Sequence, residues 1–155
     1  SKRGIRIKTV QDLRWKRRDI KTVMLLASAL AKQEAIDSGF DDAWMVEDGQ
    51  VTEGSSNNAY IIKNGVVQTR HLSNDILPGC TRRALLDLSA DSAVQVLEKP
   101  FTPDEAKTAD EAFITSATNL VMPVIGIDEV TIGDGRPGPL TQRLRELYID
   151  HARAG

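Results

Sequence analysis

The spacing of apolar and polar residues along this 155-residue chain alternates between two periods. From Ile5 to Val10 apolar and polar residues alternate, which predicts a half-buried strand. From Thr22 to Ser38 the apolar residues recur at helical spacing, and Gly39 is placed to end a helix in a left-handed conformation. This pattern puts Lys21 at the start of the predicted helix.

Predicted strands and helices continue to follow each other up to the end of the sequence. Predicted strands cover 43–46, two stretches between 51 and 67 around a Ser-Asn run, 94–97, 113–114 and 121–127. Predicted helices cover 82–90, 103–109 and 140–154. Lys63-Asn64-Gly65 has the composition of a hairpin turn. No repeat or linker divides the sequence, so we predict one α/β domain over residues 1–155.

Composition excludes several classes of function. A net charge of -2 and a pI near 5.7 argue against an electrostatically driven nucleic-acid binder, and we interpret the basic run Lys16-Arg17-Arg18 as a solvated face. A single cysteine, Cys80, cannot form an internal disulfide and fits a reducing compartment, so we expect a cytoplasmic protein. The two histidines lack metal-ligand spacing, so no metal site is predicted.

Three short segments carry the candidate chemistry. They are Asp19-Ile20-Lys21-Thr22, Glu53 to Asn58, and Leu77 to Arg82. Taken singly, each has an ordinary explanation: a solvated lysine, an acid beside a turn, and a threonine that caps a helix. Together, an amine, an acid among small polar residues and a Gly-Cys-Thr turn that opens a helix are what an enzyme needs to hold pyridoxal phosphate.

The order of these segments and their residues resemble those of the fold-type-IV pyridoxal-phosphate enzymes. Among the branches of that family, the resemblance is closest to the D-amino-acid aminotransferases. The resemblance extends over the whole chain but corresponds only to the C-terminal, larger domain of that family. It implies a strongly curved mixed sheet that approaches a barrel and is flanked by helices. It also implies transamination between a D-amino acid and a 2-oxo acid, with pyridoxal 5'-phosphate as cofactor.

Roles for individual residues follow from the resemblance. Lys21 is the implied catalytic residue, which holds the cofactor as a Schiff base and moves a proton to and from the substrate. Glu53 is implied to keep the pyridine nitrogen protonated, and Arg14 to brace either the lysine segment or this acid. The implied cofactor-binding residues are Lys21, Glu53, Ser55, Ser56, Asn57, Leu77, Cys80, Thr81, Ser116 and Ala117. Of these, Cys80 and Ala117 would contribute backbone N–H groups.

The family comparison also implies partners and leaves alternatives open. Relatives carry an N-terminal small domain, so we expect it to be a missing part of this polypeptide or a separate chain, and we expect the complete protein to be a homodimer. Branched-chain aminotransferases, R-selective amine transaminases and aminodeoxychorismate lyases share the scaffold and remain alternatives. In a further alternative, this half is a non-catalytic structural domain of such an enzyme.

Overall fold

A computed structural model describes residues 3–154 of the chain. Within that range it contains nine strands and four helices. The strands are β1 (Ile5–Gln11), β2 (Asp42–Glu47), β3 (Gln50–Gly54), β4 (Asn58–Lys63), β5 (Val66–Thr69), β6 (Val96–Glu98), β7 (Glu111–Ser116), β8 (Leu120–Ile127) and β9 (Val130–Thr131). The helices are α1 (Leu26–Asp37), α2 (Cys80–Asp91), α3 (Pro103–Lys107) and α4 (Pro139–Ala154).

All nine strands belong to one mixed sheet, and the α/β architecture predicted from the sequence is confirmed. The strand order is β3-β2-β1-β8-β7-β4-β5-β6, with β9 paired to β8. β1 runs parallel to both of its neighbours, β2 and β8, and β5 runs parallel to β6. The remaining pairs are antiparallel. The sheet is curled into a half-barrel, as the family resemblance implied.

Buried side chains cover the sheet on both faces. One cluster contains Ile7, Trp44 and Ile114, together with Phe101 from the segment before α3. A second contains Tyr60 and Phe113, whose rings stack with centroids 4.4 Å apart, and Leu144 of α4. Full burial of one such side chain contributes about 1.5–3 kcal/mol. The two clusters therefore make the sheet a rigid support for the residues at its strand ends.

The largest error in the predicted elements is the start of α1. Helical spacing predicted a start near Thr22, but the helix begins at Leu26. Two local turns occupy the intervening residues: Thr22 Oγ1 accepts a hydrogen bond from the Met24 N–H, and the Leu25 N–H donates to Val23 O. Val23 is 95% exposed, so its apolar character does not mark a core position. Lys21 consequently lies in a connecting segment, five residues before the helix.

Other boundaries agree with the predictions to within a few residues. Gly39 has the expected left-handed backbone, with φ of 84°. Thr102 and Glu105 form a capping box at the start of α3, where the side chain of each accepts a hydrogen bond from the backbone of the other. The short strand β9 was not predicted. Within residues 3–154, no helix combines the length and apolar content needed to cross a membrane.

Candidate functional site

The side chain of Glu53, near the end of β3, is a buried acid with three hydrogen-bond donors around it. The residue is only 4% exposed. Arg14 Nη1 donates to Glu53 Oε1 at 2.6 Å, and Asn58 Nδ2 donates to Oε2 at 3.0 Å. The backbone N–H of Leu77 is shared between the two oxygens, at 3.2 and 3.1 Å. A carboxylate has about four acceptor positions, so these three donors leave it able to accept one more hydrogen bond.

A second buried acid, Asp12, shares the guanidinium of Arg14 with Glu53. Arg14 donates from Nε to Asp12 Oδ1 at 3.0 Å and from Nη2 to Oδ2 at 2.8 Å. Thr52 Oγ1 adds a hydrogen bond to Asp12 Oδ2 at 2.6 Å. Two carboxylates therefore share the Arg14 guanidinium, and Arg18 Nη1 lies 3.5 Å from Asp12 Oδ2 as a second cation.

The protonation of Glu53 reflects this environment. Burial raises the pKa of Glu53 to about 7, against the opposing effects of the Arg14 charge and the Leu77 hydrogen bond. Asp12 adds a smaller upward contribution to this pKa through charge repulsion. The pKa of Asp12 itself is lowered, because hydrogen bonds from Arg14 and Thr52 outweigh the effect of its burial. A cationic group placed at the open acceptor position of Glu53 would favour the ionised form of this acid.

The raised pKa predicts how stability depends on pH. Folded Glu53 holds its proton up to about pH 7, whereas its ordinary pKa is 4.5, so the folded state binds more protons between these values. The contribution of Glu53 to stability should therefore be greatest below pH 4.5 and fall as the pH rises through 7, by roughly 1 kcal/mol for each pH unit between the two values. Urea unfolding of the cofactor-free protein between pH 4.5 and 7.5 should show this slope, and Glu53→Gln should flatten it. An unchanged slope in the variant would contradict the prediction.

The loop after β3 is held by an acid that the sequence analysis did not single out, Asp42. Ser55 Oγ donates to Asp42 Oδ1 at 2.5 Å, and Asn57 Nδ2 donates to Oδ2 at 3.0 Å. Gly54 permits the tight loop, because a Cβ there would lie 2.0 Å from Asn57 Oδ1. The side chains of Ser55 and Asn57 thus serve to fix the loop, while Ser56 is exposed.

The turn from Leu77 to Thr81 leads into the N-terminus of α2. The residue that precedes the helix is Gly79, so no side chain caps the first turn. The Thr81 hydroxyl is buried and has no hydrogen-bond partner among the described residues. Cys80 is exposed. The first turn of a helix carries unpaired N–H groups and a partial positive charge, which makes it a binding place for anions.

A second turn, Ser116 to Leu120, joins β7 to β8 beside this region. Ser116 Oγ accepts a hydrogen bond from the Asn119 N–H at 3.0 Å and lies 3.3 Å from Thr118 Oγ1. Ala117 is exposed. The sheet register pairs Thr115, just before the turn, with Asn58. The strand ends therefore bring Ser116 near the residues that contact Glu53.

Lys21 is exposed and forms no hydrogen bond or ion pair with any residue from 3 to 154. Its segment is anchored by Arg18, three residues earlier. The Arg18 guanidinium donates to both carboxylate oxygens of Glu47 at 3.0 Å, and its backbone N–H donates to Asn74 O. Arg18 is 3% exposed, so the interpretation of the basic run as a solvated face is wrong at this position. A buried cation is retained there because Glu47 neutralises it.

Sequence reasoning missed Asp12, Asp42 and the contacts of Asn58. Asp12 had a signal, since it stands two residues before Arg14 and the intervening Leu13 puts both on one side of an extended chain. Asp42 had a weaker one, as a polar residue that opens the apolar strand β2. For Arg14, the contact with Glu53 agrees with one of its two interpretations, a brace for the acid.

The chain matches a known protein family over most of its length. Residues 1–127 match the family model Amino-transferase class IV. Among curated proteins, D-alanine aminotransferase of Bacillus licheniformis is 43% identical over 142 residues, which are 92% of this chain and 50% of that protein. D-alanine aminotransferase of Staphylococcus haemolyticus is 40% identical over 145 residues, or 94% of this chain and 51% of that protein.

Solved structures show the same relationship. The branched-chain amino acid aminotransferase of T.th., complexed with N-(5'-phosphopyridoxyl)-L-glutamate, superposes with a TM-score of 0.91 at 34% identity, over 96% of this chain and 52% of that one. The Escherichia coli branched-chain amino acid aminotransferase has a TM-score of 0.89 at 27% identity, over 96% of this chain and 51% of that one. The chain thus spans about half the length of the relatives it matches.

Proposed function

Because the chain belongs to the class IV amino-transferase family, we propose that it forms the cofactor-binding part of a pyridoxal-phosphate-dependent aminotransferase. The observation that carries the proposal is the position of Leu77. Its N–H donates to Glu53, and the turn that it begins leads within three residues into the uncapped N-terminus of α2. A buried acid for a pyridinium nitrogen and an N-terminus for a phosphate therefore lie on one short segment.

The residues present fit the two charged ends of pyridoxal phosphate. Glu53 is a buried acid with one free acceptor position, which suits a protonated pyridine nitrogen. The backbone N–H groups of Cys80 and Thr81 and the unpartnered Thr81 hydroxyl suit the phosphate. Ser116 and Ala117 would supply the second edge of the phosphate site. Ser55, Ser56 and Asn57 would line the ring through the loop that Asp42 fixes.

Lys21 has the role of nucleophile and proton carrier in this proposal. When bound, pyridoxal phosphate supplies an aldehyde for amines and a ring that withdraws electrons from the substrate α-carbon. The Lys21 amine would hold the cofactor in the resting enzyme and would be released when the substrate amine takes its place. It would then carry the proton from the substrate α-carbon to the carbon that was the cofactor's aldehyde, and the opposite half-reaction would carry it back. Once released from the cofactor, the Lys21 side chain would be free to move, because it forms no hydrogen bond or ion pair with any residue from 3 to 154.

The substrates that we propose are a D-amino acid and a 2-oxo acid. Support comes from the D-alanine aminotransferases that match at 40–43% identity. Branched-chain amino acids are the second candidate, supported by the superposition on branched-chain aminotransferases at 34% identity. The test is a panel of D- and L-amino acids with pyruvate or 2-oxoglutarate on the complete gene product. Turnover of D-alanine but not L-leucine would support the first candidate, and the reverse would replace it with the second.

Binding of the cofactor is tested separately by absorbance. The complete gene product mixed with pyridoxal phosphate should gain a visible band that persists through gel filtration, because a Schiff base absorbs at longer wavelength than the free aldehyde. A structural domain without cofactor would remain colourless. Failure to retain the band would reject the proposed function in favour of that structural role.

Thr81→Val should weaken cofactor retention more than it slows the chemistry. Valine keeps the size of threonine but removes the hydroxyl that we assign to the phosphate. Loss of a hydrogen bond to a charged group costs about 1.5–3 kcal/mol, which corresponds to a roughly ten- to hundredfold higher dissociation constant. Titration with pyridoxal phosphate measures this, and Thr131→Val, at an exposed position of β9, is a matched control. If Thr81→Val and the unmodified protein bind pyridoxal phosphate with equal affinity, the phosphate does not contact the Thr81 hydroxyl.

We also propose that the remaining half of the relatives' length, as an N-terminal segment, covers an apolar surface near Lys21, and that the complete protein is a homodimer. Six large apolar side chains are more than half exposed there: Leu13, Val23, Met24, Leu25, Leu26 and Leu30. A groove of about 280 Å³ lies between the end of β1 and α1, within this surface. Contiguous exposed apolar surface of this kind is typical of interfaces.

The isolated chain should therefore aggregate or remain inactive, because the apolar surface stays in water and the active site lacks its other side. Co-expression with the N-terminal half of the D-alanine aminotransferase of Bacillus licheniformis should increase the soluble fraction. Static light scattering and the transamination assay check both statements. A monodisperse, fully active monomer of these 155 residues would contradict the prediction.

A further inference from the structure

Asn58 lies where three parts of the candidate site meet. It is the first residue of β4, opposite Thr115 on β7, and is 4% exposed. Its Nδ2 donates to Glu53 Oε2 at 3.0 Å and to the backbone oxygen of Leu77 at 3.0 Å. Both neighbours are acceptors, so the side-chain amide must present its NH₂ group to them.

These contacts close a triangle of hydrogen bonds. Asn58 donates to Glu53 and to Leu77, and the Leu77 N–H donates back to Glu53. Glu53 therefore cannot shift without a corresponding shift of either Asn58 or Leu77. Because Leu77 lies three residues before the first residue of α2, the triangle links the acid to the helix N-terminus.

The other end of the Asn58 amide contacts the same turn. A Cβ built on Gly79 would lie 2.5 Å from Asn58 Oδ1, so any other residue at this position would displace the Asn58 amide. Gly79 thus leaves the space that the amide fills, and the turn packs directly against Asn58. The amide contacts the turn at two residues, Leu77 and Gly79, on either side of Pro78.

We propose that Asn58 is a positioning residue that fixes the distance between the acid for the ring nitrogen and the N–H groups for the phosphate. The proposal rests on the proposed function, since it assigns one residue to both ends of the same cofactor. A residue that supports only the acid would affect binding of the ring alone. A residue that supports only the turn would affect binding of the phosphate alone. Asn58 should affect both.

The experiment compares pyridoxal phosphate with pyridoxal, which lacks the phosphate, on the complete gene product. Absorbance titration gives both dissociation constants without any turnover. Asn58→Ala should weaken pyridoxal binding about fivefold, since Glu53 loses a buried hydrogen bond. It should weaken pyridoxal phosphate binding by roughly fivefold more than that, because the turn also loses its support. Asn74→Ala, at an exposed position in the preceding loop, is the control and should change neither constant.

Three results of these titrations would overturn the proposed role of Asn58. Equal weakening of the two ligands by Asn58→Ala would overturn the proposal, as would unchanged binding of pyridoxal. Combined with Thr81→Val, Asn58→Ala should have a smaller effect on pyridoxal phosphate than it has alone, and full additivity would also overturn it. If Asn58→Ala does not fold, Asn58→Ser retains one donor and is tested in the same way. If the unmodified protein binds neither ligand, the proposed function itself fails.

Discussion

Replacement of Lys21 with alanine is expected to abolish transamination and Schiff-base formation while leaving the chain folded. The side chain is exposed and has no partner among residues 3–154, so its removal should change stability by less than about 0.5 kcal/mol. The loss of activity should be about 10⁴-fold or more, the upper end of what one positioned proton-transfer group contributes. This variant should therefore keep its stability while it loses its activity.

Borohydride reduction followed by peptide mass mapping measures the site of attachment. The unmodified protein should carry the reduced cofactor on Lys21, and Lys32→Ala, at an exposed position of α1, should be labelled to the same extent. Label on a different lysine in Lys21→Ala, together with retained activity, would remove Lys21 from the catalytic role.

Glu53→Gln is expected to slow proton abstraction by about 100-fold or more while cofactor remains bound. The amide keeps an oxygen that accepts from Asn58 or Leu77, but it cannot hold a pyridinium proton. Arg14 keeps Asp12 as its partner, so no unpaired buried cation results and the variant should fold. The effect should appear in kcat, because the ring nitrogen matters most when charge develops on the substrate.

Single-turnover kinetics with deuterium at the substrate α-carbon identifies the affected step. A larger isotope effect in Glu53→Gln than in the unmodified protein would place the loss on proton transfer. Glu129→Gln makes the same change at an exposed turn and should have no effect on rate. Turnover of Glu53→Gln at the unmodified rate would exclude Glu53 from the reaction.

The sequence predicted strands and helices well where the period of apolar residues follows burial, and less well where it does not. β1 alternates and lies where it was predicted, but the apolar residues from Val23 to Leu26 are exposed and misplaced the start of α1. Periodicity records that a residue is apolar, not which part of the protein covers it. An exposed apolar surface therefore has the same pattern in the sequence as a core face.

For the charged residues of the site, the sequence predicted which residue types take part but not which residues contact each other. An acid at Glu53 and a turn before α2 could be identified, because each depends on local residues. Two of the three partners of Glu53, Arg14 and Leu77, come from positions 39 residues earlier and 24 residues later. Such contacts depend on strand order, which no local spacing encodes. For the same reason the burial of Arg18 against Glu47 could not be distinguished from a solvated basic run.

The parallel pairing of β1 with β8 has a consequence for how this half folds. Ile5 pairs with Val124 and Ile7 with Ile127, so the second strand of the pair is synthesised more than a hundred residues after the first. Closing so long a loop is slow, and pairings of this separation dominate the folding time of a domain. During synthesis, β1 has only β2 as a neighbour and presents an open edge. The open edge of β1 is therefore covered only after Ile127 has left the ribosome.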